Sequence, residues 1–212
     1  GGSGGIHPQD AGALRSWFDG KNTVLLAGPG LGESAAPVCN ALLGKKAPWS
    51  AAVLDADALN ALAAGKIKSP LPDQTVITPH PGEAARLLDC TVEEVQADRE
   101  AAARRLAGMY HCIAVLKGRG TLIATPGGEV YHNPTGSAGL AKGGSGDILA
   151  GLLSGLLAAG LKQGRTAEDA AIAAVWLHGA AGDRCAKRLG MAAMLPHDIF
   201  ADLGAIFAEL ER

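Results

Sequence analysis

Apolar residues follow two rhythms along this chain. Four short runs are almost continuously apolar: Thr23–Ala27, Ala51–Leu54, Thr75–Thr78 and Cys112–Leu116. Runs of that length without polar alternation predict strands buried on both faces, as in a parallel sheet. Elsewhere the rhythm is helical. Glu33–Leu43 reads as a helix, and Thr91-Val-Glu-Glu94 is a capping box opening a helix that runs to about Tyr110. Thr166 with Asp169 caps another helix through Ala181 and beyond, and Asp198–Leu210 is a closing amphipathic helix. Asp10–Phe18 predicts a short, weak helix. Leu122–Thr125 and Val130–His132, joined by Pro126-Gly-Gly128, predict a β-hairpin. Strands alternating with helices imply an α/β fold, a mostly parallel central sheet with helices on both faces. Gly1–Gly5 reads as a glycine-rich remnant or linker, and residues 6–212 as a single domain.

The most informative stretch is 134–160. Its first half is a glycine-rich loop (Gly136, Gly139, Gly143, Gly144, Gly146), and its second an apolar helix carrying Ile148, Leu149, Leu152, Leu153, Leu156 and Leu157. A glycine loop entering a helix leaves backbone N–H groups free and aims them, with the positive end of the helix dipole, at one spot. That is an anion site suited to phosphate. Asp147 sits on the first turn beside it. Asp is favoured there as a complement to the dipole, but a carboxylate next to a bound phosphate otherwise repels it, unless a metal or a proton transfer is involved. Gly151 and Gly155 follow at i+4 and i+8. Glycine costs roughly 1 kcal/mol against alanine inside a helix, so this column predicts a very close packing partner.

Four further loops follow strands: Gly28–Gly32, Asp55–Asn60, Pro79–Glu83 and Lys117–Thr121. Right-handed crossovers bring such loops to one edge of the sheet, where ligands bind in open α/β folds. Asp55, Asp57 and Asn60 read equally as ligands of a metal or ribose and as helix caps. His80, held between Pro79 and Pro81, is presented as a ligand contact. Lys117-Gly-Arg-Gly-Thr121 suits a nucleotide phosphate or a charged turn. No G-x-x-x-x-G-K-[ST] occurs, and the one G-x-S-x-G match is the glycine-rich remnant or linker Gly1–Gly5, which sets aside P-loop enzymes and α/β-hydrolases.

Composition narrows the partners. The 212 residues are 48% hydrophobic with net charge −2 and 4% aromatic, so neither a basic patch nor a stacking platform for nucleic acid is indicated. Cys39, Cys90, Cys112 and Cys185 are scattered, as small hydrophobes in a reducing compartment would be. No run approaches the length of a membrane span, and the first residue is Gly rather than Met. The chemistry that fits is phosphoryl transfer to a hydroxyl. Amides of Gly143, Gly144, Ser145 and Gly146 stabilise the phosphoryl oxygens, Asp147 takes the hydroxyl proton, Lys117 balances the nucleotide phosphates and Mg²⁺ bridges them.

Gly-Gly-Ser-Gly-Asp (143–147) before an apolar helix resembles the motif of ribokinase-like kinases. With Ala-Gly-Pro-Gly-Leu-Gly (27–32), Leu-Asp-Ala-Asp-Ala-Leu-Asn (54–60), Thr-Pro-His-Pro-Gly-Glu-Ala-Ala-Arg-Leu (78–87) and Leu-Lys-Gly-Arg-Gly-Thr (116–121), the chain is similar to the ADP/ATP-dependent NAD(P)H-hydrate dehydratases from residue 24 to about 205. The resemblance implies a ribokinase-like fold. It also implies repair of hydrated NADH or NADPH: ADP or ATP phosphorylates the ring hydroxyl, phosphate leaves, and the dinucleotide is restored. Asp147 is then the base. Gly146 and Lys117, Gly118, Arg119, Gly120 and Thr121 contact the nucleotide, and Gly30, His80 and Asp147 contact the hydrated dinucleotide. Family members carry an earlier glycine turn, helix and strand that help bind the dinucleotide. Only Gly1–Gly5 hints at them here, so the N-terminal portion is expected to be missing. The alternatives are a vitamin-precursor alcohol kinase of the same fold, or a truncated nucleotide-binding module without catalysis. A cytoplasmic homo-oligomer is expected, with no nucleic-acid or membrane partner.

Overall fold

The computed structural model describes residue 7 and residues 9–16, 23–43, 48–68 and 70–212. The glycine run 1–5 and the end of the helix expected to reach Phe18 lie outside the described residues. Helix α1 (Asp10–Ser16) precedes β1 (Val24–Ala27), α2 (Ala35–Leu42), β2 (Ala51–Leu54) and α3 (Ala56–Ala63). Then follow β3 (Thr75–Ile77), α4 (Pro81–Leu88), α5 (Val92–Ala97), α6 (Arg99–Tyr110), β4 (Ile113–Leu116), β5 (Leu122–Ala124) and β6 (Val130–His132). The long helices α7 (Ser145–Leu161) and α8 (Ala167–Leu189) and the closing α9 (Ile199–Leu210) complete the order.

The six strands form one sheet in sequence order, with β1 to β4 parallel and β5 and β6 antiparallel. Strand residues alternate between two cores. Ala52, Leu54, Ile77, Ala114 and Leu116 pack under α2, α3, α4 and α6. Ala51, Val53, Val76 and Val115 meet Leu149, Leu153 and Leu157 of α7 and Ala171 and Ala174 of α8 on the other face. Both faces of β2 to β4 are covered, which is why they read as unbroken apolar runs; the edge strand β1, expected to be buried likewise, leaves Val24 half-buried and Leu26 exposed. A fully buried leucine such as Leu54 or Leu153 contributes roughly 2 kcal/mol. Helix α9 lies on α8 through Ile199, Leu203 and Ile206.

Three expectations need correction. The helix predicted from Thr91 to Tyr110 is two helices. Asp98 breaks it, leaving helical geometry at φ −142°, ψ 84° to accept the Ala101 N–H at 2.9 Å and cap α6. A short polar side chain that competes for backbone N–H groups wins over continuing the helix. The Gly151–Gly155 column has no close partner: both residues are exposed, and a Cβ at either would meet nothing within 4 Å among the described residues. The apolar side chains of α7 point the other way, into the sheet. The loop after β3 is also shorter than its prolines suggest, because Pro81 is the first residue of α4. Its fixed φ suits that position.

Candidate active site

Because β1 to β4 run parallel and in register, their carboxyl ends reach one edge together. The chain continues the ladder there: Asp55 N–H donates to Ala27 O at 3.1 Å, Thr78 N–H to Leu54 O at 3.1 Å, and Lys117 N–H to Pro79 O at 2.8 Å. A cavity of about 920 Å³ opens at this edge. His80, Lys117 to Thr121, and Gly143 to Asp147 all line it. Gly30 is not among its lining residues; it sits on the turn after β1, with φ +71°.

The glycine loop ends as an uncapped helix start. Gly144 is the N-cap of α7 at φ +93°, a conformation that suits glycine, and it has no side chain to satisfy the first-turn amides. The N–H groups of Gly146 and Asp147 make no hydrogen bond to any described residue. Ser145 differs: it is buried, its N–H donates to Lys142 O at 3.2 Å, and its Oγ lies 3.3 Å from His178 Nε2. The free amides of the cradle are therefore those of Gly143, Gly144, Gly146 and Asp147, on either side of the tied-back Ser145. Asp147 is exposed on the same turn.

Lys117 sits beneath this turn. Its Nζ donates to Asp55 Oδ1 at 2.7 Å and lies 3.9 Å from Glu83 Oε2. A Cβ on Gly146 would stand 3.3 Å from that Nζ and 3.8 Å from Asp55 Oδ2. Glycine thus lets the cradle pass directly over a buried ion pair. Of the two readings of Asp55, Asp57 and Asn60, the helix-cap one is not met by their side chains. Asp55 occupies the N-cap position of α3 but makes no capping bond. Asp57 instead accepts the Gly32 N–H at 2.8 Å, and Asn60 accepts from Arg86 at 3.1 Å.

Asp55 is 2% exposed and Lys117 19%, so removing the lysine alone strands a buried carboxylate. Lys117→Met is expected to lower the unfolding free energy by about 2 kcal/mol, less than for a fully buried pair. The Asp55→Asn/Lys117→Met double variant should recover part of that loss in urea denaturation. A double variant as unstable as the sum of both singles contradicts this account.

His80 is a cap as well as a wall. Its Nδ1 accepts the Gly82 and Glu83 N–H groups at 3.0 and 3.3 Å, while Glu83 Oε2 accepts the His80 N–H at 2.8 Å. With Nδ1 committed to α4 and Nε2 3.5 Å from Glu83 Oε1, the ring is fixed in place at the cavity edge. Arg99 holds the 117–121 loop from behind, donating to the carbonyls of Leu116, Lys117 and Gly120 at 3.3–3.5 Å. Gly118, at φ +137°, leaves room for that guanidinium.

Sequence reasoning missed His178, Glu83, Arg99 and Asn133. Asn133, nine-tenths buried, donates to Thr135 O at 2.9 Å on the cavity wall. His178 carried a signal: it is a lone polar residue at the spacing of Ala171, Ala174, Val175 and Ala181, the buried face of α8. Burial pushes its pKa down to about 4, a hydrogen bond with the Ser145 backbone opposes this, and the charge of Lys117 adds to the lowering. Unfolding restores an ordinary imidazole, so between about pH 6.5 and 4 the unfolded chain binds the extra proton and stability falls as pH falls. Near pH 5 this one group should cost about 2 kcal/mol relative to pH 7. Urea midpoints measured across that range should flatten in His178→Gln; an equally steep fall in that variant assigns the effect elsewhere.

A family model described as NAD(P)H-hydrate dehydratase matches residues 11–204. The chain belongs to the NAD(P)H-hydrate dehydratase family. An ADP-dependent (S)-NAD(P)H-hydrate dehydratase of Neisseria meningitidis is 49% identical over 146 residues, covering 68% of this chain and 48% of that protein. A bifunctional NAD(P)H-hydrate repair enzyme of Moorella thermoacetica is 44% identical over 193 residues, covering 89% of this chain and 35% of the relative. The chain thus spans about a third to a half of these relatives' lengths. Among solved structures, the ADP/ATP-dependent NAD(P)H-hydrate dehydratase of Bacillus subtilis, co-crystallised with ATP and Mg²⁺, superposes with a TM-score of 0.75 at 32% identity, over 88% of this chain and 64% of that one. A ribokinase-like superfamily protein of Enterococcus faecalis superposes with a TM-score of 0.78 at 29% identity, over 96% and 69%. The dehydratase family's fold is ribokinase-like here, as the 143–147 motif implied. Among the described residues no helix is long and apolar enough to cross a membrane.

Proposed function

We propose that this chain dehydrates hydrated NADH or NADPH with ADP or ATP as phosphoryl donor. The observation that carries the reading is the meeting, in one cavity, of the α7 amides, Asp147, the Lys117–Thr121 loop and His80. The free N–H groups of Gly146 and Asp147, with Gly143 and Gly144, receive the phosphoryl oxygens, and Lys117 to Thr121 hold the nucleotide. Asp147 accepts the proton of the ring hydroxyl as its oxygen bonds to phosphorus and the donor's phosphoanhydride bond breaks. Phosphate then departs with the ring C–O electrons. Loss of a proton from the neighbouring carbon restores the double bond, leaving NAD(P)H, phosphate, and AMP or ADP. His80 and Gly30 contact the dinucleotide.

The donor set fits Mg²⁺. Among the described residues no three His, Cys, Asp or Glu are grouped to hold a metal by themselves. Buried Asp55 and Glu83 flank Lys117 on the cavity wall, and one or two carboxylates plus substrate phosphates are how this ion is usually bound. When bound there it would neutralise charge on the phosphate oxygens. The four free cysteines support a reducing cytoplasmic setting. Exposed Trp176, Met191 and Phe200 support a homo-oligomer.

The test mixes hydrated NADH with the protein, Mg²⁺ and either nucleotide, and follows return of the reduced-nicotinamide absorbance. Return with one or both nucleotides is expected. A phosphorylated product accumulating from a vitamin-precursor alcohol, with no return of absorbance, would instead make the chain a kinase.

A further inference from the structure

We infer that His178 is a positioning residue for the phosphate cradle, acting through Ser145. The inference rests on the phosphoryl-transfer reading of the cavity. Two of the free amides, those of Gly146 and Asp147, follow Ser145 directly, so their direction is set by how Ser145 is held. Two contacts hold it. Its N–H donates to Lys142 O at 3.2 Å, and Lys142 in turn donates to the carbonyls of Ala192 and Met194. Its hydroxyl lies 3.3 Å from His178 Nε2. Both partners are more than nine-tenths buried, so water does not replace a lost bond cheaply.

The anchor beneath His178 is rigid. Gly179 lets α8 close on the segment after β6: a Cβ there would fall 2.2 Å from Thr135 Oγ1. Thr135 Oγ1 donates to Trp176 O at 3.0 Å, and Gly136 N–H donates to Asp183 Oδ2 at 2.9 Å. Helix α8 is thereby locked to the cavity wall on both sides of His178. A neutral imidazole offers one donor and one acceptor, and the serine hydroxyl is able to play either role. An apolar residue of similar size keeps the packing and loses this hold.

The experiment measures affinity for ADP and for AMP by calorimetry, because AMP lacks the phosphoryl group assigned to the cradle. His178→Leu is expected to weaken ADP binding about tenfold, the scale of one buried hydrogen bond, and to leave AMP within about twofold. His178→Gln, whose amide reaches the Nε2 position, should recover most of the ADP affinity. Ser145→Ala should reproduce the selective loss, and adding His178→Leu to it should cost less than about threefold more. Equal losses in the Leu and Gln variants, a parallel fall in AMP and ADP, or losses that multiply in the pair would overturn the inference. If His178→Leu does not fold, the Gln and Ser145→Ala measurements decide it. A parent chain that binds ADP but leaves hydrated NADH unchanged sinks the dehydratase reading alone. A parent that binds no ADP sinks both.

Discussion

Asp147→Asn is expected to lower the rate of NADH-hydrate repair about 1,000-fold while ADP affinity stays within about threefold. The substitution keeps shape and removes the one property the chemistry needs, a carboxylate able to take a proton. Asp147 is exposed on the first turn of α7 and makes no side-chain hydrogen bond or ion pair with any described residue. Its loss therefore costs no more than its interaction with the helix dipole, about 0.5 kcal/mol, and an effect on rate reports on chemistry. The amide variant leaves the N–H groups of residues 146 and 147 in place, so the nucleotide keeps its main contacts. Rates from the recovering nicotinamide absorbance, beside calorimetric ADP affinities, separate the two. A rate within about tenfold of the parent removes Asp147 as the base, since general-base catalysis contributes about a hundredfold or more.

What was legible from sequence was what depends on local pattern. Continuous apolar runs marked β1 to β4, and Thr166-x-x-Asp169 marked the start of α8. The glycine run before α7 announced free amides, because a helix start without a capping side chain has nowhere else to send them. Family motifs then named residues that, Gly30 apart, line the cavity. Illegible were contacts between residues far apart in the chain. Nothing local distinguishes Asp55 as partner of Lys117, 62 positions away, from Asp55 as an ordinary N-cap. His178 looked like one polar residue in an alanine-rich helix, and its meaning comes from Ser145, 33 positions earlier. The glycines were misassigned for the same reason. Gly151 and Gly155 suggested close packing and face open space, whereas Gly28, in a loop read only as lying at the ligand edge, makes room for the protein's own backbone.

Gly28→Ala is accordingly expected to be the most destabilising single methyl in the chain, lowering the unfolding free energy by more than about 4 kcal/mol. Two costs coincide. At φ +134° the position is outside the range that L-residues adopt readily, and an added Cβ would lie 1.7 Å from Asp55 O and 2.7 Å from Asp55 C. Those neighbours are backbone, not a side chain that swings away, so β1 and the β2–α3 junction must separate. Gly30→Ala is the control: at φ +71°, with nothing within 4 Å of the new Cβ, it should cost about 1 kcal/mol from the left-handed backbone alone. Urea denaturation of the two variants compares them directly, and a Gly28→Ala loss no larger than that of Gly30→Ala would disprove the close approach. The effect should also reach the site. Moving Asp55 shifts the carboxylate that holds Lys117 under Gly146, so whatever Gly28→Ala protein folds should bind ADP more weakly. Gly30→Ala should leave ADP affinity intact, and a raised KM for the hydrated dinucleotide in that variant would mark Gly30 as a substrate contact.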